Sequence, residues 1–125
     1  MILDTNGLSA LADGSPDLEP ILSSADQIAL PVIVLGEYRF GIRQSRSRVR
    51  YERWLNEALP GFCVLNIDEA TTSHYADVRE ALKRSGHPIP SNDLWIAALA
   101  LQYDFPVISR DRHFDSVPGL RRLTW

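Results

Sequence analysis

The stretch SNDLWIAALALQYDFPVISRD, residues 91–111, decides how this chain is read. Leu94 to Leu101 is its longest unbroken apolar run, far short of the ~20 residues a membrane helix needs. Ser91 can cap a helix from Asn92 to about Tyr103, and the middle of that helix is apolar all round. A helix with no polar side offers nothing to water and must be covered by other elements. Pro106-Val107-Ile108-Ser109 follows as a short buried strand. A buried helix leading into a buried strand points to a layered α/β structure.

The same grammar extends through the chain. Met1-Ile2-Leu3 is a short apolar strand that stops at Asp4-Thr5-Asn6-Gly7, read as a turn, before a short helix from Leu8 to Ala12. Ser15-Pro16 reads as a cap followed by proline at the first helical position, which predicts a helix from Pro16 to Ser24. Ile28-Ala29-Leu30 is a strand, and Pro31 starts a long helix to about Arg43. Another helix runs from about Ser47 to Leu59, and Phe62 to Ile67 is rich in strand formers. Asp68 caps a helix from Glu69 to Arg84 that Gly86 ends. Arg110 to Pro118 reads as a loop, and Leu120 to Leu123 as a last strand. The expectation is one domain over residues 1–125, built on a short, mostly parallel sheet of about five strands with helices on both faces.

Composition narrows the class. With 125 residues, 45% hydrophobic and 23% charged, the chain is an ordinary globular domain rather than a disordered, collagenous or coiled-coil one. Scaling laws give about 6,700 Å² of folded surface against about 20,000 Å² unfolded, enough burial for a core without disulfide or metal staples. The lone cysteine, Cys63, can form no internal disulfide, which suits a reducing compartment such as the cytoplasm. A charge as early as Asp4 argues against a signal peptide. The net charge is −3, but Arg39 to Arg53 holds six arginines and one acid, a +5 segment on a body that carries −8. That asymmetry suits a protein that grips an anionic polymer in one place and holds cations in another.

Four acids stand where structure alone does not require them. Asp4 and Asp111 follow strands, Asp93 lies in the first turn of the buried helix, and Glu37 interrupts the apolar stretch Val32 to Phe40. Singly, each has a plain reading as turn chemistry, helix-dipole compensation or an exposed helix residue. Two of them lie at strand ends on one edge of the sheet, where α/β proteins bind ligands, and two more lie on helices that must pack against it. Carboxylates converging at 4 Å repel by about 4 kcal/mol per pair at an effective dielectric of 20. Either the group is dispersed or a divalent cation sits in its middle. Oxygen ligands favour Mg²⁺ or Mn²⁺, and zinc is disfavoured because Cys63, His74, His87 and His113 lack ligand spacing. His113 lies near Asp111 but reads better as a surface histidine.

Leu3-Asp4-Thr5-Asn6, the Glu37 helix, Ser91-Asn92-Asp93-Leu94-Trp95-Ile96-Ala97 and Ser109-Arg110-Asp111-Arg112-His113-Phe114 resemble the four motifs of PIN-domain ribonucleases. Their order and spacing resemble above all the VapC-type toxins of toxin–antitoxin pairs. The resemblance spans essentially the whole chain. It implies a three-layer α/β/α domain, an acidic metal-binding quartet of Asp4, Glu37, Asp93 and Asp111, and Asn6 and Ser109 as residues that orient it. It further implies Mg²⁺- or Mn²⁺-assisted hydrolysis of RNA and a neutralising antitoxin partner. Arg39, Arg43, Arg46 and Arg50 recur at near-helical spacing close to Glu37 and are candidate RNA contacts, with a solvated helix face as the other reading. A homodimer is expected, with Tyr38, Phe40, Tyr51 and Trp54 as interface candidates or, equally, core residues. Two other readings remain at this point. One is a PIN-like binding module without activity. The other is a phospho-accepting receiver domain, which needs a lysine near its last strand, whereas the only lysine is Lys83.

Overall fold

The computed structural model describes residues 1–125. Five strands, β1 (Ile2–Leu3), β2 (Ala29–Pro31), β3 (Cys63–Leu65), β4 (Val107–Ile108) and β5 (Arg122–Leu123), form one sheet. Every pairing is parallel, and the order is β3-β2-β1-β4-β5. Six helices connect them: α1 (Thr5–Ala12), α2 (Glu19–Ser23), α3 (Val32–Arg43), α4 (Arg48–Ala58), α5 (Glu69–Ser85) and α6 (Ser91–Tyr103). The chain steps outward from β1 to β3, then crosses back to β4 on the other side of β1. Right-handed crossovers in opposite directions put their helices on opposite faces, and α1, α3 and α4 accordingly touch one another while α5 packs along α6. The order differs from the 2-1-3-4-5 order of receiver-type sheets, which removes that reading.

β1 is central. Ile2 pairs with both Ala29 and Val107, and Leu3 with Ile108. Paths diverge in opposite directions after β1 and β4, so a crevice opens at their carboxyl ends. The core beneath it includes Leu3, Leu30, Leu55, Leu99, Ile108 and Phe114, all fully buried. Helix α6 buries Leu94 and Ile96 through Ala100, as its all-round apolar middle demands. The accessible surface is 7273 Å², close to the value expected from chain length. No helix is long and apolar enough to cross a membrane.

Local signals explain most boundaries. Asp68 and Thr71 form a reciprocal cap at the start of α5, with Asp68 Oδ1 accepting from the Thr71 amide at 3.1 Å. Gly86 ends that helix at φ 73°, a conformation open to glycine. Two expectations need correction. The first helix begins at Thr5 rather than Leu8, because Asp4 acts as its cap and Asn6 and Gly7 lie in its first turn. The helix expected from Pro16 begins only at Glu19. Pro20 explains the delay: deep inside a helix it would remove an amide donor and clash with the preceding turn, but it is tolerated in the first turn. The expected loop after Arg110 holds a single 3₁₀ turn, Arg112–Ser116, capped by Asp111.

Candidate active site

Asp4 leaves the end of β1 as the cap of α1. Its Oδ1 accepts from the Gly7 amide at 2.8 Å, and its Oδ2 accepts from the Ser109 hydroxyl. Ser109 follows β4, is fully buried, and its oxygen also accepts from the Asp111 amide at 2.9 Å. One hydroxyl, 105 residues from Asp4 in sequence, thus ties the ends of neighbouring strands together and fixes Asp4 relative to Asp111. Gly7 lets β1 and α1 approach: a Cβ there would lie 2.5 Å from Leu3 Cδ1 and 3.2 Å from Asp4 Oδ1.

Asp93 enters from the first turn of α6. Glu37, half-buried on α3, accepts a hydrogen bond from the Thr5 hydroxyl at 2.9 Å. Asp111 accepts from the His113 amide at 2.9 Å. These side chains line one cleft of about 430 Å³ with Thr5, Asn6, Asn92 and His113. All four expected acids therefore face the same space, with Asn6 exposed at its rim.

His113 is exposed, as the sequence reading expects, and it also lines this cleft. Its Nδ1 lies 3.1 Å from Asp93 Oδ2 and 3.0 Å from Asp111 Oδ1. The 3₁₀ turn that follows Asp111 folds the histidine back over the carboxylates. A histidine two residues after a strand-end aspartate was the available signal, but only the turn brings its ring onto the carboxylates.

Burial raises the pKa of Asp4, and the charges of Asp93 and Asp111 add to the rise, against the opposing bonds from Ser109 and Gly7. Asp93 is also raised, again mainly by burial, with its His113 bond opposing and the charges of Asp111 and Glu37 contributing. No lysine or arginine lines the cleft to offset these charges. Ligand atoms of Asp93, Asp111 and His113 lie within 4.8 Å of one another. A cleft of partly buried carboxylate oxygens without a basic side chain other than one imidazole fits a hard divalent cation.

The arginines do not line the cleft. Arg39 and Arg43 are exposed on α3, Arg46 lies in the turn after it, and Arg50 on α4 places its guanidinium 4.9 Å from the Tyr51 ring centroid. None of the four takes part in an ion pair, whereas Arg48 is bound to Glu52 at 2.9 Å. Of the aromatic interface candidates, Tyr38 is a core residue at 4% exposure, Tyr51 and Trp54 are half-buried, and Phe40 is 68% exposed.

The pattern that defines the PIN domain matches residues 1–120. The chain belongs to the PIN-domain family. Ribonuclease VapC5 of Mycobacterium tuberculosis is 31% identical over 120 residues, covering 94% of this chain and 87% of that protein. VapC ribonuclease Y4jK of Sinorhizobium fredii is 33% identical over 131 residues, covering 96% and 93%. Among solved structures, VapBC2 from Rickettsia felis, bound to a DNA fragment from its promoter, superposes with a TM-score of 0.88 at 25% identity, over 99% of this chain and 97% of that one. In this PIN domain the acids cluster where β1 and β4 end, at the divergence point of the sheet.

Proposed function

We propose that the chain is a ribonuclease that hydrolyses RNA phosphodiester bonds with Mg²⁺ or Mn²⁺ and serves as the toxin of a toxin–antitoxin pair. The observation that carries this reading is the group of carboxylates around one cleft, two of which have pKa values raised mainly by burial. Asp4 and Asp93 would hold the cation directly, Asp111 would join them or orient the attacking water, and Glu37 would act through water. When bound, the cation supplies charge neutralisation for the phosphate and a more acidic water. Ser109 and Gly7 keep Asp4 ionisable and aimed, and Thr5 keeps Glu37 aimed. Arg39, Arg43, Arg46 and Arg50 would hold the RNA backbone, a role supported by their lack of carboxylate partners. One domain in residues 1–125, a cytoplasmic site of action, an antitoxin as partner and a homodimer complete the reading. The buried state of Tyr38 leaves Phe40 as the dimer-contact candidate that is most exposed.

The test is incubation of total RNA with the protein and Mn²⁺, against chelator and against Asp93→Asn, followed by mapping of the new ends. Cleavage should occur only with wild type and metal. Intact RNA in every arm, with Mg²⁺ and Mn²⁺ both tried, overturns the proposal.

A further inference from the structure

A second cavity, of about 260 Å³, lies beside the acidic cleft between α1, α3 and α4. Thr5 and Glu37 form walls of both, so an occupant of one adjoins the other. The rest of its polar lining includes Asp13, Tyr38, Ser45 and Tyr51. Tyr38 is 4% exposed, and its hydroxyl is the buried side-chain polar atom without a hydrogen-bond partner. Such groups are rare in folded proteins and ask for an explanation. Tyr51 donates to Asp13 Oδ1 at 2.7 Å, which leaves Asp13 Oδ2 and a second lone pair of Oδ1 able to accept.

Asp13 and Glu37 make this cavity hostile to a phosphate and receptive to N–H donors. Its volume is below the range of pockets for drug-sized ligands, about 300–1,000 Å³, and suits one planar ring system. We infer that the cavity receives the base of a nucleotide flanking the scissile phosphate and prefers guanine, an inference that rests on the ribonuclease reading. Guanine carries two adjacent donors, N1–H and N2–H₂, that match a carboxylate, and an O6 that accepts from a hydroxyl such as that of Tyr38 or Ser45. Adenine and cytosine offer one amino group beside ring acceptors, and uracil a single N–H between two carbonyls. Every base can give one donor to an acid and take one hydroxyl bond, but only guanine sets two adjacent donors against a carboxylate while its O6 accepts from a hydroxyl.

The experiment uses single-stranded RNA oligonucleotides that differ only in the base beside a mapped cut. Cleavage is measured with Mn²⁺, and binding by fluorescence anisotropy in chelator. The guanine oligonucleotide should be cut and bound best. Asp13→Asn, which turns one acceptor into a donor, should reduce the guanine preference by about tenfold or more. Tyr38→Phe removes only the unpartnered hydroxyl, so it should leave the melting temperature unchanged or higher while weakening guanine binding by about threefold. If both variants cleave with the wild type's base preference and affinity, the inference is overturned and the ribonuclease reading stands. If the wild type neither cuts nor binds any of the oligonucleotides or total RNA, both fail. Binding of an arginine-containing peptide that Asp13→Asn abolishes, with base preference unchanged, assigns the cavity to a cationic protein segment and overturns the inference.

Discussion

Replacing Asp4 with Asn tests whether this residue serves the fold or the chemistry. The side chain keeps its size, and Asn caps helices about as well as Asp, so the bond from the Gly7 amide survives. The bond from Ser109 loses its charge assistance, which makes it roughly half as strong. Against that loss, the variant removes a buried charge that faces Asp93 and Asp111. The direction of the Asp4 pKa decides the balance: burial and repulsion outweigh the two bonds, so the ionised form is disfavoured in the folded state. A raised pKa means that protonated Asp4 favours the fold below its ordinary value of 3.8, and that this contribution is lost as pH rises through the folded-state value. At neutral pH in chelator, Asp4→Asn should therefore be as stable as wild type or more so, by up to about 1 kcal/mol, or about 4 °C in melting temperature. Wild type should lose ground relative to the variant as pH climbs out of the acid range. A saturating cation reverses the order: at 100 times its Kd it stabilises wild type by about 2.7 kcal/mol and the variant by much less. Differential scanning fluorimetry of both proteins across pH, with chelator and with Mn²⁺, reads all of these changes, and an RNA assay reads activity. A variant clearly less stable in chelator, or still active on RNA, would refute the reasoning and leave Asp4 as a structural cap.

His113→Ala should weaken Mn²⁺ binding by about tenfold, the usual cost of losing a group that orients metal-binding carboxylates, and unchanged affinity by titration calorimetry would make His113 a bystander. Gly7→Ala should destabilise the protein by about 1–3 kcal/mol, since the new methyl meets a fully buried Leu3 and overpacked cores cost that much; a melting temperature equal to wild type would show that β1 and α1 can separate without cost. Replacing Arg43, Arg46 and Arg50 together with Ala should flatten the dependence of log RNA affinity on log salt by about 2, from roughly 0.7 per phosphate on a single strand. An unaltered slope means that these arginines do not contact the backbone.

The elements of this fold were legible because they rest on local chemistry. An apolar stretch with no polar side must be buried, which identified α6, and Asp68 and Gly86 announce the ends of α5 within one turn of chain. Asp4, Asp93 and Asp111 stood out because an acid beside a buried strand or helix contradicts its surroundings. Pro16 misled because its own preference for a helix start is overruled by Pro20, four residues on. Tyr38, equally suited to an interface or a core, became a core residue because α3 turns that side of itself inward toward Trp54, whose ring centre lies 6.2 Å away. The site as a constellation was decided by tertiary structure. The order β3-β2-β1-β4-β5 brings residues 3 and 108 into register, and from that pairing follows the Ser109 bond to Asp4, while the packing of α6 against the 3₁₀ turn after β4 brings Asp93 to Asp111. Periodicity records which side of an element is buried, but carries no information about which strand will lie beside which. That choice belongs to the packing of the whole chain, and with it came the place of His113 over the acids and the cavity beside them.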